Sequence, residues 1–304
     1  MNMVPNRRIR NSIAWLTLLS AVSLLLLSAA SAAEPDAHRF TYRAEAVGQR
    51  SFVTSLFDLK LKISVSEGKK TIRTVSQNHR RRQSKLISVL TAGEKGPTKI
   101  AVHYKRAEEE RSEDGGEGVI VKDPTAGKVY VIEHAVGESG ERNVVTDEAG
   151  QGVSREQERI VLADNHNLGR PYPLAKLLNG RTLKVGETID LDGAKAAELF
   201  GLTERIGKFE KFTMKLTGTR QVEGIRCAVF DAKTRIGSKA IHSKVDLTGE
   251  YLIGIETCRL VSFDLSGPVK ISGGMMDVTI SAKGTARISV GVQYEKKKPR
   301  PNRP

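Results

Sequence analysis

From Val53 to Val65 the odd positions are Val53, Phe57, Leu59, Leu61, Ile63 and Val65, interrupted only by Ser55, while the even positions carry Thr54, Asp58, Lys60, Lys62 and Ser64. A period of two over thirteen residues predicts a strand with one buried and one wet face. Ser66 to Lys69 turns the chain into a second run from Thr71. Lys85 to Leu90 and Lys99 to Tyr104, separated by Gly93 to Pro97, read as a hairpin. Val119 to Val121 and Val129 to Ile132, joined across Asp123 to Gly127, read as another. Short spacings and turn residues favour antiparallel pairing.

Helices are predicted only in the middle. Ser154 with Gln157 three positions later forms a capping box, and Gly169 offers an end for that helix. Pro173 to Leu178 reads as a helical turn closed by Asn179-Gly180, and Asp192 caps Ala194 to Phe200, which Gly201 terminates. Strands resume afterwards: Phe212 to Val222, Ile225 to Ala232, Lys244 to Ile253, Arg259 to Leu265, Val269 to Ser272 and Val278 to Tyr294. The tail from Lys296 to Pro304 is basic and proline-rich and is expected to be disordered.

The first residues change the picture of where the protein works. Arg7, Arg8 and Arg10 precede an apolar run from Ile13 to Leu27, and Ala30-Ser31-Ala32 fits a small-x-small cleavage site, so residues 1–32 are expected to be a secretory signal removed after Ala32. The run is shorter than the roughly 20 residues of a membrane span. The mature chain is expected to have no transmembrane segment and to be exported, to a periplasm or beyond. The full chain has 49 basic and 35 acidic residues; without the three signal arginines the balance is about +11. Outside a cytoplasm such a surplus favours anionic envelope components over nucleic acid.

The stretches Leu183 to Ile189, Val222 to Phe230, and Gly249 to Gly267 with its turn at Glu256-Thr257 resemble exported bacterial β-rich proteins of unknown function. Some of these are similar in architecture to lipoprotein carriers, in which a strongly curved antiparallel sheet wraps short helices as an incomplete barrel. The resemblance spans roughly residues 180–295 and implies a concave apolar surface suited to a lipid. It has no chemical motif to transfer. An outer-membrane barrel competes for the same alternating strands, but such barrels need aromatic girdles. Here aromatic residues are 5% of the chain and the single Trp15 lies in the signal.

Catalytic signatures are absent: no H-E-x-x-H, G-x-S-x-G, Walker loop or G-x-G-x-x-G. Asp164-Asn165-His166-Asn167 is a polar cluster able to hold a metal or act as a base, or simply a helix end with an exposed histidine. Asp190-Leu191-Asp192-Gly193 has part of a calcium loop without its remaining ligands, so Asp192 reads as a cap. Glu108 to Glu117 carries enough carboxylates to chelate calcium weakly, with a solvated acidic loop as the plainer reading. No cofactor is expected.

The basic run is more suggestive. Seven cations lie between Lys69 and Lys85 with no acid among them. On a strand, Arg80 and Arg82 share one face and Arg81 takes the other. Arginine forks suit phosphate and carboxylate, so Arg80, Arg81, Arg82 and Lys85 are the candidate anion-binding residues; a solvated sheet edge protected by charge is the plainer reading. The lack of interleaved aromatics argues against single-stranded nucleic acid. Cys227 and Cys258 leave a disulfide open. An oxidising compartment favours it, and the loop it closes would contribute roughly 3 to 4 kcal/mol. Two strand spacings, about 9.6 Å, exceed the roughly 7 Å reach of a bridge.

Together these readings predict a mainly β domain over 33–295, with a strongly curved antiparallel sheet forming a half-barrel or open barrel, and two strand-rich halves joined by short helices near 154–201. The functional expectation is a non-enzymatic carrier or binding protein for an apolar or amphiphilic ligand. Two alternatives stand beside it: an envelope protein that grips an anionic polymer or head group through the basic patch, and an enzyme with an unrecognised site.

Overall fold

In the computed structural model, whose described residues are 36–137, 140–200, 208–238, 242–275 and 277–295, almost every apolar alternation in the sequence becomes a strand of one antiparallel sheet. The expected signal segment, 1–32, and the basic tail, 296–304, lie outside the described residues. Residues from Ala37 onward form one compact unit.

The strands are β1 (Ala37–Arg39), β2 (Arg50–Glu67), β3 (Lys70–Gly93), β4 (Gly96–Glu113), β5 (Val119–Lys122), β6 (Val129–Gly137), β7 (Gly140–Asp147), β8 (Thr182–Lys184), β9 (Thr188–Asp192), β10 (Lys208–Val222), β11 (Ile225–Ser238), β12 (Ser243–Gly254), β13 (Leu260–Met275) and β14 (Val278–Tyr294). Three helices interrupt them: α1 (Arg155–Asp164), α2 (Pro173–Leu178) and α3 (Gly193–Phe200). The main sheet runs β7-β6-β4-β3-β2-β14-β13-β12-β11-β10-β9, with β5 added on β4, and it does not close. β1 and β8 make a separate pair.

The two halves of the chain are therefore not two sheets. β2 pairs with β14 from Ser51↔Tyr294 to Glu67↔Val278, which fuses the strands before the helices to those after them. One pairing expected from the sequence is corrected. β5 and β6 do not form a hairpin; each pairs with β4, β5 along Glu108 to Arg111 and β6 along Lys99 to His103. The connection bends because the Asp123 carboxylate accepts from both the amide and the hydroxyl of Thr125, a side-chain turn that redirects the chain. The acidic run is not a free loop either: Glu108 to Glu113 lie inside β4. Likewise Arg259 to Ser272 is one strand from Leu260, not two.

The helix signals act as expected at their starts. The Ser154 side chain accepts from the Gln157 amide while Gln157 reaches back to the Ser154 amide, and α1 ends at Asp164, before Gly169. Pro173 opens α2, and the Asp192 carboxylate accepts from the Lys195 amide at the start of α3.

All three helices cover the same face of the sheet. On the β9–β14 side the large core gathers Phe212, Phe230, Leu247, Tyr251 and Leu265 beneath Leu174, Leu178 and Ala196, and Phe40 is laced in from the β1 end. On the β4–β7 side a smaller core holds Val102, Tyr104, Tyr130 and Ile132 beneath Val161 and Leu168. Curvature has a visible sequence basis. Gly249, Gly267 and Gly284 stand at the inner face of β12, β13 and β14, and a Cβ on any of them would lie inside the carbonyl of Asp264, Asp246 or Lys60 on the neighbouring strand. Successive strands thus approach more closely along that diagonal than any side chain permits. At the β10–β11 hairpin, Glu223 and Gly224 both have positive φ, the requirement of a two-residue primed turn.

Candidate functional site

Between the two cores the inner face is covered mainly by the α1–α2 connection, with Pro173 and Leu174 of α2 and Leu199 of α3 also lining the space. The floor there comes from Val53 and Ser55 of β2, Val290 and Val292 of β14, and Leu260 and Phe263 of β13; the roof is the α1–α2 connection from Asp164 to Tyr172. They enclose a cavity of about 350 Å³, within the usual span of small-ligand sites, about 300 to 1,000 Å³. Its walls are mostly apolar, with polar groups at two ends.

One end is built by β3. Lys85 is 8% exposed, because its strand neighbours β2 and β4 flank it and Tyr104 stands directly across. Its Nζ donates to the Asp164 carbonyl at 3.4 Å and lies 3.8 Å from the carboxylate; the Tyr104 ring is 5.8 Å away. Burial pushes the Lys85 ammonium pKa down, partly offset by Asp164. The Asp164 carboxylate is better served: it accepts from Gln83 at 2.8 Å and from the Tyr104 hydroxyl at 3.2 Å. Burial and the nearby Asp164 charge push the Tyr104 hydroxyl pKa upward, so the phenol stays a neutral donor. At the other end Glu45, whose carboxyl pKa is raised by burial, faces the buried Arg259 at 3.9 Å.

Two features singled out in the sequence, Lys85 and Asp164-Asn165-His166-Asn167, therefore meet at one cavity. His166 sits at its rim with Nδ1 3.2 Å from the Ala163 carbonyl. Among the described residues no group of three His, Cys, Asp or Glu is placed to hold a metal.

The arginine triad lies elsewhere. β3 is paired on both sides, so Arg80, Arg81 and Arg82 occupy an interior strand and not a sheet edge. Arg80 and Arg82 share the outer face and Arg81 the inner one, since Phe57 stands opposite Arg81. Each is bound to a carboxylate: Arg80 to Asp58 at 3.1 Å, Arg81 to Asp123 at 3.3 Å, and Arg82 to Glu108 and Glu110 at 3.4 and 3.2 Å. Register explains two of them, because Arg80 stands opposite Asp58 of β2 and Arg82 opposite Glu108 of β4, whereas Arg81 reaches Asp123 beyond β5; across β3 and β4 the run Arg80 to Arg82 lies against Glu110 to Glu108. The basic and acidic runs are complementary in antiparallel order, a signal present in the sequence but invisible while each run was read alone.

The outer face continues this way, with Arg235–Asp246 and Arg287–Asp264 bridging neighbouring strands and Arg220 reaching from β10 across β11 to Glu250 of β12. In a wider groove on that face the charged lining residues, Arg82, Arg106, Glu250 and Asp264, are already matched. A face so charged suits water and not the apolar band of a lipid-facing barrel. No described helix is long and apolar enough to cross a membrane.

In this structure Cys227 and Cys258 are both buried and unbridged. Cys227 packs with Val229, Leu252 and Val261 in a small cluster, whereas Cys258, in the β12–β13 turn, belongs to the large core. Burial pushes both thiols up to about 11.

No protein-family model matches the chain, and no curated protein matches it. Among solved structures, lipovitellin, in a structure titled for its lipid–protein interactions, aligns with 84% of this chain at 10% identity and a TM-score of 0.38. The match spans about a quarter, 26%, of the lipovitellin chain. An outer-membrane channel from Pseudomonas putida aligns over 84% of this chain and 98% of its own, at 7% identity and a TM-score of 0.21. Scores this low do not establish a common fold.

Proposed function

We propose that the protein is an exported, non-enzymatic carrier or binding protein for one amphiphilic molecule, whose apolar part occupies the cavity between the inner face of the sheet and the α1–α2 connection. The cavity itself carries the reading. It sits between the two cores under the α1–α2 connection, its floor is mostly apolar, and it combines enough volume for a small ligand with a few convergent polar groups, the usual make-up of such sites. The positions Val53 and Ser55 belong to the amphipathic strand whose inner face the helices cannot fully cover.

Export rests on the signal-like residues 1–32 and places the protein in a periplasm or beyond; the mature N-terminus should fall within a residue or two of Ala33. The envelope-polymer reading of Arg80 to Arg82 asks an anion to displace carboxylates already in place, which makes the cavity the stronger site. The direct test is native mass spectrometry of protein purified from its own envelope. A co-purifying amphiphile, released on unfolding, is the expected result. A ligand-free protein that also fails to bind an environment-sensitive fatty probe overturns the reading.

A further inference from the structure

The amphiphile proposed above has two polar ends of the cavity to choose from, and they differ in how closely the cation is held. At the Glu45 end one carboxylate faces one guanidinium, and the Arg259 Nη2 also donates to the Arg43 carbonyl at 2.8 Å. At the Lys85 end Lys85 faces Asp164, and farther along β3 Arg81 is paired with Asp123. Asp164 already accepts two hydrogen bonds from neutral donors. Lys85 has the opposite problem. Its ammonium carries three donors, is nine-tenths buried, and has polar contacts only at 3.4 and 3.8 Å, both longer than the roughly 2.7 to 2.9 Å of a charge-assisted bond.

Resting on the carrier reading, we infer that Lys85 is the head-group residue and that the ligand is a single-chain amphiphile with a singly charged carboxylate. The carboxylate sits against the Lys85 ammonium, and the chain lies over Val53, Val290 and Val292. One added negative charge supplies the short contact that Lys85 lacks. A buried cation gains from a buried anion because the low-dielectric surroundings leave little water to compete. A dianionic phosphate head would bring a second negative charge against Asp164. A neutral head would leave the ammonium as it is.

The test compares dodecanoate with dodecanol, which share one chain, by calorimetry on the full mature protein and on Lys85→Met. The wild type should bind dodecanoate at least about tenfold more tightly, the factor of one charge-assisted hydrogen bond. Lys85→Met should lose that preference and keep its affinity for dodecanol. Equal binding of the two by the wild type overturns the head-group assignment and leaves the carrier reading standing. Binding of neither removes the carrier reading and this inference with it. A further measurement needs no variant: carboxyl-labelled dodecanoate, titrated by NMR while bound to the wild type, should protonate at a lower pH than it does free. Protonation at a higher pH would place the carboxyl in an apolar site away from Lys85 and overturn the assignment, whether or not Lys85→Met folds.

Discussion

The two sides of the sheet are held by different forces. On the β9–β14 side the inner face is apolar throughout, and glycines let the strands curl over Phe212, Phe230 and Tyr251. On the β3–β4 side the inner face of β3 reads Gln77, His79, Arg81, Gln83, Lys85 before Ile87, so pairing depends on matched charges and a smaller core. The difference teaches where a ligand can enter: apolar burial fills its own space, whereas a polar central strand cannot be sealed by a helix and leaves a gap at the junction.

Substitutions should separate the two regimes by size. Phe230→Ala, at a fully buried position, should cost about 3 to 5 kcal/mol in urea unfolding; a cost below about 1 would deny that this side is the main core. Gly284→Ala places a Cβ against the Lys60 carbonyl and should cost about 2 to 3 kcal/mol, while Gly273→Ala, which meets nothing within 4 Å, should change little. Comparable costs at the two glycines would argue against curvature set by the inner-face diagonal.

The junction itself should show in pH dependence. The Lys85 pKa is lowered on folding, so between its folded value and its ordinary value near 10.4 the unfolded chain binds more protons. Stability contributed at this site must therefore rise with pH through that window and be least below it. The difference between wild type and Lys85→Met, followed by thermal unfolding from neutral to alkaline pH, should move in that direction. A flat difference would mean that the ammonium is well solvated.

The charge-matched side should respond weakly. Arg82→Gln removes contacts to Glu108 and Glu110 at a side chain that is 30% exposed, so a loss of about 1 kcal/mol or less, shrinking with added salt, is expected. A loss near that of Phe230→Ala would erase the contrast between the two sides. Least of all, a reducing agent should leave the unfolding midpoint unmoved, and two thiols should react per chain only after denaturation, because Cys227 and Cys258 are buried and free. A dependence on reductant would mean that the two are bridged in solution.

What the sequence disclosed follows the same division. Where one face is buried and the other wet, as in β2 and β14, alternation marked the strands, and caps at Ser154, Pro173 and Asp192 marked the helices. β3 hid its 24 residues because both of its faces are largely polar, so no period of two survives between Gln77 and Lys85. β4 was cut short for a related reason: a run of glutamates looks solvated until the arginines that face it are known. The cavity was beyond reach, since Lys85 and Asp164 are 79 positions apart and only the crossing of the α1–α2 connection brings them together.

The pairing of β2 with β14 also sets a timetable. Nearly every other strand contact joins segments close in sequence, which form quickly, whereas Ser51 waits for Tyr294, and contacts of such separation are slow to close. The meander from β9 to β14 and the hairpins from β2 to β7 can each gather locally, but the cavity floor, built from β2, β13 and β14, exists only after the last strand docks. A chain in transit across a membrane would then remain incompletely folded until its final strand has emerged, and it would acquire its binding site in the same step that completes the sheet.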